Sequence, residues 1–154
     1  MRHAPIRLTA IAAGITFVLS VLLSMLLAAA LSSDNTPLIV TSIQVFVVLV
    51  GIAFLVWVVA LYIANRLIPA RRVGRAILTH LLTALVIAIA NVALAAALSA
   101  GGGPWAELGV FLVGVASAEF FLSAVMAVLI THLAIARRLV PDAPARAAGH
   151  ELPL

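Results

Sequence analysis

Four uninterrupted apolar stretches, Leu8–Leu31, Leu38–Ala64, Ala76–Ala100 and Leu108–Ala136, decide what this chain can fold into. A bilayer core about 30 Å thick is crossed by roughly 20 apolar residues in a helix, and each stretch meets that length. All seven prolines fall outside the four stretches. Uninterrupted helices require this, because proline removes a backbone donor and clashes with the preceding turn. The spacing predicts an all-α integral membrane four-helix bundle made of two antiparallel hairpins. Thr36-Pro37 and Gly103-Pro104 read as helix starts with proline in the first turn. Ile68-Pro69 and Val140-Pro141 read as stops. The transmembrane domain is expected over 1–140, and the proline-rich polar tail 141–154 is expected to be disordered.

Composition supports lipid as the solvent. Two thirds of the 154 residues are apolar and only 9% are charged, against about a quarter charged in soluble domains. The basic balance does not point to nucleic acid, because the arginines stand at the ends of apolar runs rather than along one face. With no cysteine, disulfides, thiolate metal sites and cysteine nucleophiles are excluded. The absence of lysine beside abundant Ala, Leu, Val and Arg suggests a GC-rich bacterial genome.

Arginine sets the expected orientation. Arg2 and Arg7 precede the first span, Arg66, Arg71, Arg72 and Arg75 lie between spans two and three, and Arg137, Arg138 and Arg146 follow span four. The other two connections hold Asp34 and Glu107 and no basic residue. The positive-inside rule therefore places both termini and the middle loop in the cytoplasm of a plasma membrane. The first span, at 24 residues, exceeds the apolar core of a signal peptide, roughly 7–15 residues, and is expected to be retained. Arg66, Arg71, Arg72, Arg75, Arg137 and Arg138 satisfy the topology rule and are also candidates for binding anionic lipid headgroups.

The two hairpins resemble each other. Leu61-Tyr-Ile-Ala-Asn-Arg-Leu-Ile-Pro69 and Leu133-Ala-Ile-Ala-Arg-Arg-Leu-Val-Pro141 agree at six of nine positions, and Leu8-Thr-Ala-Ile11 matches Leu82-Thr-Ala-Leu85. The offsets of 72 and 74 fit a parallel internal duplication about an axis normal to the membrane. They fit equally a generic helix-exit pattern in a chain rich in Ala, Leu and Arg.

Helix association in lipid relies on close approach of small residues and on hydrogen bonds. The first span carries Ala12, Thr16, Ser20, Ser24, Ala28 and Ser32 at a spacing of four, a helix-packing row. Span two is rich in Val, Ile, Leu and Phe and is expected to present the largest lipid-facing surface. Trp57 sits deep in it and calls for a packing partner.

Ionisable groups within a membrane are costly and attract functional hypotheses. At 1.5 Å per residue, Glu119 lies about 27 Å from Arg137, and Asn91 about 24 Å from Arg75. The two are thus expected at similar depth, with Asn91 donating to Glu119 and Gln44 nearby. His80 and His132 each stand five residues inside an arginine and after a threonine, a spacing that suits a b-type haem or part of a metal site. At 100° per residue, however, His132 and Glu119 are about 140° apart, so both are not expected to face inward. His132 is therefore read as an interfacial residue that reaches headgroups or caps carbonyls, and no cofactor is expected.

No catalytic pair, phosphate loop or metal signature is present, and the chain is not expected to be an enzyme. The leading expectation is an accessory, scaffolding or complex-subunit protein acting through intramembrane packing, as a homo-oligomer or with a membrane protein partner. The alternative is a small proton-coupled transporter or channel subunit centred on Glu119 and Asn91.

Overall fold

A computed structural model describes residues 4–31, 38–68 and 73–135. It contains four long helices, α1 (Ala4–Leu31), α2 (Leu38–Leu67), α3 (Val73–Leu98) and α4 (Pro104–Ile130). The chain continues from α4 into a π-helical turn, Thr131–Ile135. The helices form an all-α bundle in which chain neighbours pack together, α1 closes the ring on α4, and α2 and α4 also meet. Each helix contains a segment long and apolar enough to cross a membrane, and the chain is a multi-pass membrane protein with four candidate spans.

The surface shows why water is the wrong solvent. Val48, Ile52 and Leu98 are 78%, 81% and 79% exposed, and they belong to a shell of exposed Leu, Val, Ile and Phe on all four helices. In water such a surface would drive aggregation. Against lipid chains it costs nothing, and backbone bonds satisfied within helices permit the crossing.

The helix bounds follow from local chemistry. Pro104 occupies the first turn of α4 after Gly103, and Glu107 lies in that turn, where a negative charge favours the helix dipole. Between α3 and α4 the chain reverses through Gly101 and Gly103, at φ 85° and 71°, a region that glycine enters without the Cβ penalty. The α2 helix runs past Ala64, with Ile68 N–H donating to the Ala64 carbonyl at 2.8 Å. The chain therefore stays helical three residues longer than apolarity alone predicts. The expected stop after Val140 and the Thr36-Pro37 start lie outside the described residues.

Burial follows helical spacing. The α1 helix buries Thr9, Ala12, Thr16 and Ser20, α2 buries Val50, Ala53, Trp57 and Leu61, and α3 buries Ala76, His80, Ala84 and Ala88. The α4 helix buries a wider arc of Ala116, Ser117, Phe120, Ser123, Ala124, Ala127 and Val128, and burial continues through Thr131 and His132 of the π turn. This makes α4 the most buried of the four spans, and like α2 it packs on all three other helices. Among the described residues α3, not α2, buries the smallest share of its span. The many alanines of α3 did not mark it as interior, because small residues also face lipid.

Trp57 finds the partner its depth calls for. It is fully buried and meets the Phe120 ring edge-on, with centroids 5.7 Å apart at 86°. Phe54 lies 6.2 Å from Trp57 and 6.5 Å from Phe120. Edge-to-face aromatic pairs of this kind add about 0.5–1.5 kcal/mol beyond area burial, and here they tie α2 to α4.

Candidate functional site

The polar side chains within the spans close on one another in three clasps. The first joins α1 to α4, where Ser24 Oγ donates to Glu119 Oε2 at 2.6 Å. Because the helices are antiparallel, stepping one turn at a time in opposite directions sets Ser20 level with Ser123, Thr16 with Ala127 and Ala12 with Thr131. All six of these residues are 0–1% exposed. The α1 row thus faces a matching row of small residues on α4, and the hydroxyl of Thr16 turns back to the Ala12 carbonyl at 2.8 Å. The side chain of Ala28, at the far end of the expected row, lies outside the described residues.

The second clasp gathers α2, α3 and α4 around Asn91. Its Nδ2 donates to the Leu49 carbonyl and to Ser117 Oγ, both at 3.0 Å. The expected bond from Asn91 to Glu119 is replaced by these two, because Glu119 points toward α1 while Asn91 meets the Ser117 side of α4. Asn91 meets α4 two residues from Glu119, so the two stand at a similar level along the bundle but face different neighbours. The Gln44 side chain lies outside the described residues.

The third clasp joins α1, α2 and α3 and has a definite direction. Thr9 Oγ1 donates to the Pro5 carbonyl at 2.8 Å. It therefore receives from Asn65 Nδ2 at 3.1 Å, which leaves Asn65 Oδ1 to accept from His80 Nε2 at 3.0 Å. A neutral His80 ring in this arrangement carries its proton on Nε2 and its lone pair on Nδ1. Asn65 was missed by sequence reading because the second span was expected to end at Ala64. One further turn of α2 carries the amide into the bundle.

His132 corrects the expectation that it faces away. It is 4% exposed, its ring centroid lies 5.0 Å from that of His80 at 51°, and its Nδ1 lies 3.0 Å from the Val128 carbonyl. The inward side of α4 is not a single direction. A helix packed on three neighbours has an inward arc wide enough for both Glu119 and His132. Since a carbonyl only accepts, Nδ1 of a neutral His132 donates and Nε2 holds the lone pair.

Among the described residues, the buried Ser20 Oγ, Trp57 Nε1, Ser123 Oγ and Thr131 Oγ1 have no hydrogen-bond partner. Buried groups of this kind are rare. Ser20 and Ser123 stand between the Glu119 clasp and the histidine pair along α1 and α4. Arg66 and Arg75 are exposed at the end of the bundle nearest the histidines, whereas Arg71, Arg72, Arg137 and Arg138 lie outside the described residues.

The described cavities are apolar and open on the outer faces. One, of about 490 Å³, runs along α3 and α4 past Ala93, Ala96, Gly114 and Ala118. Another, of about 390 Å³, lies over Phe17, Gly51 and Phe54 on α1 and α2. No family model, no curated protein and no solved structure matches the chain.

Proposed function

We propose that this chain is a non-enzymatic accessory or scaffolding component of a membrane assembly, working through helix packing within the bilayer. The observation that carries the reading is the engagement of Glu119 by Ser24 across the α1–α4 interface. A carboxyl group that closes on a neighbouring helix serves the bundle, whereas a transport site needs it to face a hydrated path. Asn91 and Asn65 are used in the same way. The interior polarity then fixes a unique packing, and recognition falls to the apolar exterior. The groove along α3 and α4, floored by small residues, is shaped for close approach of another helix.

A second reading rests on a separate observation. The unpartnered hydroxyls of Ser20 and Ser123 lie between Glu119 and the histidine pair and continue a line of polar groups along the bundle. This favours a small proton-coupled transporter or channel subunit. The readings separate in proteoliposomes loaded with a pH-sensitive dye. A scaffold gives the same passive proton leak as protein-free vesicles, for wild type and Glu119→Gln alike. Flux above that background, abolished by Glu119→Gln in a protein that still folds, supports the transporter and overturns the scaffold.

A further inference from the structure

Glu119 serves the α1–α4 interface with only part of its carboxyl group. Ser24 donates to Oε2 and is, among the described residues, its one hydrogen-bond partner. A carboxylate offers two oxygens and about four acceptor positions, so most of that capacity is unspent. The side chain is half-buried and stands at the edge of the inward arc of α4. At 100° per residue, Leu108, Leu112, Met126 and Ile130 lie within about 20° of its direction, and all four are exposed. The acid therefore borders the outward face of the helix as well as the interior.

That face has the form of a helix-docking seam. Leu108, Leu112, Val115, Glu119, Leu122 and Met126 follow one another at alternating spacings of four and three, and the series runs on to Leu133. A repeat of about 3.5 residues keeps one helix in contact with another along its length, and most transmembrane bundles cross at the same shallow angle as such pairs. The leucines and the methionine among these six are 45–56% exposed, so the bundle itself leaves the seam open. Lipid alone would accept an apolar seam, but not one with a carboxyl group set in its middle. Ionisable side chains within a membrane almost always face an interior or a cavity and pair with one another. The groove along α3 and α4, by contrast, has no ionisable residue in its lining.

Charge selects the occupant. This chain has no cation of its own at that depth, because all nine arginines stand at the ends of the spans, and Arg137 is about 27 Å away along the helix. A second copy in the same orientation would bring Glu119 to Glu119, acid against acid, and like charges at one site repel. A helix with a single basic residue level with Glu119 relieves the cost of both ions in lipid, and Ser24 already holds the carboxyl in place to receive it. We propose, building on the accessory-subunit reading, that the outward seam of α4 centred on Glu119 docks a transmembrane helix of another protein that carries a lysine or arginine at the depth of Glu119.

The test uses the full chain, labelled at Asp142→Cys, in liposomes with synthetic transmembrane peptides of leucine and alanine that carry an acceptor dye. One peptide has a single lysine level with Glu119, a second has that lysine moved by about two turns, and a third has leucine in its place. Energy transfer should show the first peptide binding about tenfold more tightly than the other two. Glu119→Gln, which keeps an acceptor for Ser24, should remove that preference, and Ala93→Leu, which fills the α3–α4 groove, should leave it unchanged. Circular dichroism checks that each variant keeps its helical content. Equal binding of the three peptides by the wild type overturns the proposal, as does a preference that survives Glu119→Gln. Loss of the preference in Ala93→Leu overturns the location. Glu119-dependent energy transfer between two differently labelled populations of the chain, with no preference for the lysine peptide, makes a second copy the occupant and overturns the foreign partner while the accessory reading stands. The accessory reading fails separately, by Glu119-dependent proton flux in the same liposomes.

Discussion

At the scale of single residues, the Ser24–Glu119 bond at 2.6 Å links the first helix to the last. Interhelical hydrogen bonds in membranes are worth about 0.6 kcal/mol on average and up to about 1.7. Ser24→Ala should therefore lower bundle stability by roughly 0.5–1.5 kcal/mol, measured by reversible unfolding or steric trapping in bicelles. Glu119→Gln should cost less, because the amide oxygen still accepts from Ser24. A larger loss for Glu119→Gln than for Ser24→Ala would mean that Glu119 has a partner other than Ser24. Glu119 and Asn91 were legible in the sequence as rare polar groups in apolar surroundings, and so was their similar level along the bundle. Their partners were not, since a residue's azimuth matters only relative to a neighbouring helix whose own rotation the sequence leaves open.

At the scale of elements, the α1–α4 interface depends on matched small residues. Ser20 is fully buried, and Ser123 at its level is 1% exposed. Ser20→Leu should cost about 1–3 kcal/mol by overpacking, whereas Leu22→Ala, on the exposed face of the same helix, should stay within about 0.5 kcal/mol. Equal effects would place the row outside the interface. The turn between α3 and α4 offers a sharper test. A Cβ added to Gly102 would lie 2.6 Å from the Cβ of Ala106 and 3.2 Å from the Ser99 carbonyl oxygen. Gly102→Ala should therefore destabilise the protein, and Gly102→Ala/Ala106→Gly should be less destabilised than the sum of the single variants. Strict additivity would show that the turn relaxes away from the clash. The row of four-spaced small residues on α1 was visible in the sequence because serine and threonine stand out against leucine. The wide buried arc of α4 was less so, since alanine and glycine serve interior and lipid faces equally.

At the scale of the whole molecule, two kinds of apolar surface coexist, a narrow interior bound by clasps and an exterior of exposed Leu, Val and Ile. Only a bilayer reconciles them, and the remaining question is which way the bundle sits. Its arginines give the physical reason for one answer. The cost of placing Arg within a membrane is about 2.5–3.5 kcal/mol per residue at the helix centre on insertion scales, and segments flanking the spans that carry Arg are retained in the cytoplasm during insertion. All nine arginines flank the same ends of the spans, so inversion would require three separate Arg-bearing segments to cross. The chain has no cysteine, and each single-cysteine variant therefore reports one position without background. Asp34→Cys should react with a membrane-impermeant maleimide in intact cells. Ala70→Cys and Asp142→Cys should react only after permeabilisation. The reverse pattern would overturn the arginine argument. Reaction of all three in intact cells would indicate a dual topology, in which the exterior groove along α3 and α4 would be presented in both orientations and an antiparallel pairing of two copies would become the natural assembly.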